Sequence, residues 1–147
     1  MVESFEICPC GIYREICPIY IADKGNHSRL KEILGSAFNV SANEVTCDGC
    51  LSEAPFVNCQ KCAIKSCILD KGLKGCHLCE DFPCPNIETM DDITKRAILR
   101  AVPIWRKLGT EEFIEKELKH YQCPQCNNQL FMGAQKCRNC GNPVALD

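Results

Sequence analysis

Fifteen cysteines spread through 147 residues constrain this chain more than any other feature. Cysteine at about one residue in ten is several times ordinary usage, so thiol chemistry has to dominate both folding and function. Hydrophobic residues make up 46%, but that figure includes every Cys. The apolar remainder is thin enough that the folded state should depend on cross-links or metals. The length suits one domain of usual size, or a small domain with a smaller appendage, and excludes a large multidomain enzyme. No basic segment leads into an apolar stretch of signal-peptide length, and no run of about 20 apolar residues could span a membrane. The expected location is therefore cytoplasmic, where dense Cys pairs bind metal or do redox work rather than form disulfides. An odd count would in any case leave one thiol unpaired.

Charge narrows the partners. Charged residues are 24% and the net charge is -2, which is not the footprint of a protein that grips a phosphate backbone. A nucleic-acid or membrane partner is thus disfavoured, a protein partner is expected, and a small-molecule substrate stays undefined. There is no Gly-rich phosphate loop, dinucleotide fingerprint or catalytic triad.

The cysteines fall into three groups separated by two Cys-free stretches. In the first stretch, Asn26 or Ser28 can cap a helix whose apolar face is Leu30, Ile33, Leu34, Ala37 and Phe38. In the second, Thr89-Met-Asp-Asp92 reads as a capping box ahead of Ile93, Ala97 and Ile98, and Pro103 should end or kink that helix. Gly109 then precedes another helix, capped by Thr110, with Glu111 and Glu112 in its first turn and Phe113, Ile114 and Leu118 inward. Trp105 and Phe113 read as core residues. The middle group holds an internal repeat: Cys59-x2-Cys62-x4-Cys67 recurs as Cys76-x2-Cys79-x4-Cys84, with a short helix over 63–71 between them, stopped by Gly72.

The clearest chemical signal is Cys123-Pro-Gln-Cys126, ten residues, then Cys137-Arg-Asn-Cys140-Gly141. Two Cys-x2-Cys knuckles place four thiolates for a tetrahedral zinc, and the spacer 127–136, with Leu130, Phe131 and Met132, should supply the short strands of a ribbon hairpin. Lys136 and Arg138 are the only basic residues beyond Tyr121, which weakens nucleic-acid binding further.

The other eleven, Cys8, Cys10, Cys17, Cys47, Cys50, Cys59, Cys62, Cys67, Cys76, Cys79 and Cys84, allow several groupings. One is Cys10, Cys17, Cys47 and Cys50, with each repeat copy holding three corners of a further site. Three ligands from one loop suit an iron–sulfur cluster, and Cys17-Pro18 and Cys84-Pro85 are similar to the Cys-Pro that completes ferredoxin sites, although the spacing is not the ferredoxin run. Cys-x2-Cys pairs suit zinc equally, with His77 or His27 as a further donor. His120 reads as a helix-end cation. A redox-active dithiol needs a strand–helix setting that the pattern does not show.

Taken together, Cys10-Gly11-Ile12-Tyr13, Cys17-Pro18-x-Tyr20, Cys47-Asp-Gly-Cys50, Cys59-x2-Cys62-x4-Cys67 and Cys76-x2-Cys79-Glu-Asp-Phe-Pro-Cys84 resemble the DUF3795 family of small cysteine-rich proteins. The likeness runs from about Cys8 to Ile87, and the segment from Lys107-Leu-Gly109 to Tyr121-Gln-Cys123 is similar to the tail of members that end in a ribbon. The resemblance implies a metal binder. Family members often carry Cys where this chain has Arg14, while this chain adds Cys8, so either Cys8 replaces that ligand or the first site is altered.

The resulting expectation is a small, irregular, metal-stabilised α+β protein: a cysteine-rich metal-binding domain over 1–88, a helical connector over 89–120 and a zinc-ribbon hairpin over 121–147. Its N-terminal thiols hold iron–sulfur clusters or further zinc, and it is more a binding or electron-carrying protein than an enzyme. The alternatives are a zinc-only adaptor and a thiol-dependent enzyme or metal-delivery factor.

Overall fold

A computed structural model of the chain describes residues 7–144 and Leu146. Residues 1–6 of the expected N-terminal unit lie outside the described residues. The molecule is mostly helical. Its helices are α1 (Pro18–Lys24), α2 (Ser28–Phe38), α3 (Ala63–Asp70), α4 (Pro85–Glu88), α5 (Asp92–Leu108) and α6 (Thr110–His120), joined by short 3₁₀ turns. Among the described residues, β structure amounts to isolated bridges at Ile7–Tyr13, Gln122–Gln129 and Lys136–Pro143. The expected ribbon hairpin is thus reduced to one bridge beside each Cys knuckle.

Several helix starts differ from the sequence expectation, each for a local reason. Helix α2 begins after His27 without a side-chain cap, because Asn26 is spent in a left-handed turn at φ 50°. It buries Leu30, Leu34 and Gly35 and leaves Ile33, Ala37 and Phe38 exposed, since the chain folds back at Asn39 and lays the Val40 carbonyl over Gly35. Helix α5 is capped by Asp91, whose carboxylate accepts from the Thr94 N–H at 2.9 Å and the Thr94 hydroxyl at 2.8 Å. Thr89 instead donates to the Asn86 carbonyl at the end of α4.

Pro103 neither ends nor bounds α5, which continues to Leu108. It lies on the exposed face, where water can satisfy the carbonyl one turn back that loses its helical partner. Thr110 opens α6 as its first residue; its hydroxyl accepts the Trp105 indole N–H at 3.1 Å and does not cap the helix. The inward face of α6 is Phe113, Ile114 and Glu117, with Leu118 at 39% exposure.

Two apolar cores result. The smaller packs Ile19 and Ala22 of α1 on Leu30 and Leu34 of α2, closed by Val45, Cys47 and Phe56. The larger runs from Ile7, Ile12 and Ile16 through Ile64, Ile68, Ile98, Val102, Trp105 and Phe113 to Tyr121, Leu130 and Cys137. The terminal knuckles therefore share the main core. The Met132 N–H donates to the Ile16 carbonyl at 2.8 Å, which ties that segment to the start of the chain.

Candidate metal centres

The two terminal knuckles have the same construction. In the first, the Cys123 N–H donates to the Asn128 carbonyl and the Asn127 N–H to the Cys123 carbonyl, both at 2.9 Å. In the second, Cys137 and Asn142, then Gly141 and Cys137, repeat those bonds at 2.9 Å. Each turn needs a left-handed residue after its second Cys, supplied by Asn127 at φ 62° and Gly141 at φ 78°. Cys123, Cys126, Cys137 and Cys140 then bring their sulfurs within 4.8 Å of one another. Cys123–Cys140 and Cys126–Cys137 each span 3.6 Å. Metal–sulfur bonds of about 2.3 Å around a tetrahedral ion space the sulfurs roughly 3.8 Å apart, so this cluster can bind a single metal ion.

Nearby N–H groups draw two of the four terminal thiols down. Cys137 is drawn down to about 6 by hydrogen bonding from the Cys140 and Asn139 backbone. Cys126 is held below the usual thiol value, chiefly by the Asn139 side-chain amide at 3.4 Å.

Nine of the eleven N-terminal thiols fall into two adjoining groups, with Cys10 and Cys62 between them. The first surrounds Cys50. Cys8 donates a hydrogen bond to Cys50, which raises Cys8 well above the usual thiol value and lowers Cys50, helped by the positive charge of Lys65. Cys17 is pushed up to about 12 by burial, against the pull of the Tyr20 and Ile19 N–H groups, with Cys50 and Cys47 as its charged neighbours. Cys59 reaches about 12 through burial and the proximity of Cys50, Cys17, Cys47 and Cys62. The Cys47 N–H is fixed by the Asp23 carboxylate at 3.0 Å, and Lys65 Nζ donates to the Cys50 carbonyl at 3.1 Å.

The second group is Cys67, Cys76, Cys79 and Cys84, which line one open-sided pocket with Ile64, Ile68, Lys71, Phe82 and Asn86. Burial and then Cys84, Cys79, Cys67 and Cys62 push Cys76 up to about 12. Cys10 stands between the groups: its thiol is raised by burial and by Cys50, Cys62 and Cys76.

Helix α3 explains this partition. Cys62 is its N-cap and Cys67 lies five residues on, about 140° around the axis at 3.6 residues per turn. The first repeat copy is therefore split between the groups. The second copy cannot fold the same way, because Pro83 and Pro85 keep its four-residue spacer out of a helix, and α4 starts only after Cys84. Cys17-Pro18 and Cys84-Pro85 are both helix starts, with Cys at the N-cap and Pro at the first helical position.

Helix α5 fastens the second group. Arg106 Nε donates to the His77 carbonyl at 2.9 Å and Arg106 Nη2 to the Cys79 carbonyl at 3.0 Å. The His77 ring stacks on Trp105 with centroids 3.4 Å apart, and Phe113 lies on the far side at 5.8 Å. His77 thus packs as an aromatic, its pKa depressed to about 4 by burial and the Arg106 charge. Gly75 is required by close approach, since a Cβ there would lie 2.6 Å from the Trp105 ring. The Cys76 N–H closes the unit on the Pro9 carbonyl at 2.7 Å. His27 is exposed at the N-cap of α2. Arg14 lays its guanidinium over the Tyr20 ring at 5.2 Å.

Sequence reasoning missed Lys71, whose ammonium donates to Cys79 Sγ at 3.3 Å and to Asp81 at 2.9 Å. It also missed Arg106. Neither carries a motif, because each meets its partner only through the fold.

No helix among the described residues is long and apolar enough to cross a membrane. No curated protein and no solved structure matches the chain. A family of proteins of unknown function, DUF3795, matches residues 6–89, which is more than half of the chain and takes in all eleven N-terminal thiols. The chain is a member of the DUF3795 family, extended at its C-terminus by a four-cysteine cluster.

Proposed function

We propose that the protein is a cytoplasmic electron carrier or accessory subunit whose N-terminal thiols hold iron–sulfur clusters and whose terminal knuckles hold one structural zinc. The observation that carries this reading is the contrast between the two kinds of thiol group. Four terminal sulfurs close to single-ion spacing, whereas Cys67, Cys76, Cys79 and Cys84 line an open pocket. A site for one ion draws its sulfurs together; a site for a cluster of several metal and sulfide atoms keeps them apart around a space.

The chain's own residues fit that use. Ile64, Ile68 and Phe82 wall the pocket with carbon, and α5 holds the Cys76–Cys79 loop rigidly through Arg106. A bound iron–sulfur cluster supplies reversible one-electron chemistry, which zinc does not. The neighbouring protein that exchanges the electron is a partner of unspecified identity, consistent with the near-neutral charge.

Iron, acid-labile sulfide and zinc analysis of anaerobically purified protein tests the reading. Iron and sulfide in equal amounts, with about one zinc per chain, is the expected result. A colourless preparation with several zinc ions and no sulfide contradicts it in favour of a zinc-only adaptor. Dithiol turnover by metal-free protein contradicts it in favour of a thiol enzyme.

A further inference from the structure

The internal repeat of the middle cysteines suggests two equivalent three-thiol loops, and the fold divides them differently. In the structure Cys67 leaves its own copy and joins all three thiols of the next. The pocket they line is open on one side, and its remaining walls are mostly carbon. One polar group reaches a sulfur from the rim: Lys71 Nζ, at the end of α3, donates to Cys79 Sγ at 3.3 Å while Asp81 holds it at 2.9 Å. Lys71 directly follows α3, the helix that carries Cys67, so the same element positions a ligand and a cation beside a second ligand.

We propose that Cys67, Cys76, Cys79 and Cys84 are the four ligands of a single iron–sulfur cluster, and that Lys71 is a positioning residue that raises its reduction potential. The assignment rests on the reading that the N-terminal thiols bind iron and sulfide, and adds the ligand set and the tuning group. Four thiols from this pocket complete a site with no ligand borrowed from Cys59, whose sulfur neighbours are Cys50, Cys17, Cys47 and Cys62. The sign of the Lys71 effect follows from charge. Reduction adds an electron to an already anionic thiolate-bound cluster, so a nearby ammonium and its N–H donor stabilise the reduced form more than the oxidised one.

Iron and sulfide per chain, measured on the full-length protein reconstituted anaerobically, test the ligand set through paired variants. Cys67→Ser and Cys76→Ser are each expected to lose one cluster, and the double variant to lose no more, because both changes break the same site. Cys59→Ser combined with Cys76→Ser is expected to lose the sum of the two single losses. The reverse pattern, with Cys59→Ser and Cys67→Ser behaving as one site and Cys67→Ser and Cys76→Ser adding, overturns the assignment while leaving the iron–sulfur reading intact. Wild-type protein without iron and sulfide overturns both.

Lys71→Met, on a side chain that is partly exposed, keeps the test decisive should the Cys variants fail to fold. It is expected to retain full iron and sulfide and to shift the midpoint potential downward in a dithionite titration. An unchanged potential overturns the role of Lys71 and the placement of a cluster beside it.

Discussion

Cys137 receives N–H groups from the turn that follows it, and Cys126 takes the Asn139 amide, so these two terminal thiols favour thiolate, while, against the pull of the Asn142 N–H, burial and the neighbouring sulfurs push Cys140 up to about 12. Replacing Cys126 or Cys140 by Ser should release one metal ion per chain, read by elemental analysis; unchanged content in both variants contradicts the assignment. Protons compete with the ion for the same sulfurs, so metal retention should fall as pH drops through the depressed thiol values, not as it rises. Cys8 makes a comparable claim in the N-terminal region. Its contact with Cys50 implies that Cys8→Ala lowers metal content as much as Cys17→Ala does, whereas wild-type content in Cys8→Ala would make it a bystander. Away from the thiols, Glu117 is 1% exposed and accepts hydrogen bonds from Arg100 Nη2 on both carboxylate oxygens, at 2.7 and 2.8 Å. Arg100→Met strips a buried carboxylate of that partner and should cost about 3 kcal/mol in urea unfolding, with a loss below about 1 kcal/mol contradicting the buried-pair account.

At the scale of elements, α5 connects core packing to the pocket thiols. Its Trp105 lies between His77 and Phe113, and its Arg106 holds the loop that carries Cys76 and Cys79. Gly75→Ala should therefore do two things together: destabilise the protein by roughly 1–3 kcal/mol through overpacking on the indole, and lower iron content through displacement of that loop. A destabilised variant with full iron content would separate the packing from the site. The elements also show what the sequence could and could not convey. The helices over 63–70, 92–108 and 110–120 are legible because periodicity acts within a few residues, whereas the caps expected at Thr89 and Thr110 are not the ones the fold uses. The four-cysteine terminal cluster is legible for the same reason: each knuckle is a local turn. The sharing of Cys67 with the second repeat copy is not legible, because it depends on the rotation of α3 between Cys62 and Cys67. Nor is the Arg100–Glu117 pair, whose partners meet only when α5 and α6 pack. Leu118 misled because it has the right spacing for the inward face, while the buried position belongs to Glu117.

The whole molecule is joined at two levels, by a main core that extends from Ile7 to Cys137 and by a network of thiols in which Cys10 and Cys62 stand between the Cys50 group and the pocket. Closely set clusters in such a frame would exchange electrons with each other as well as with a partner. Electron paramagnetic resonance of the anaerobic, dithionite-reduced protein decides whether such clusters are present. The account requires reduced-cluster signals that diminish in Cys79→Ser and in Cys50→Ser, because one thiol from each N-terminal group is lost. A silent spectrum from protein whose N-terminal thiols are filled with zinc would contradict it.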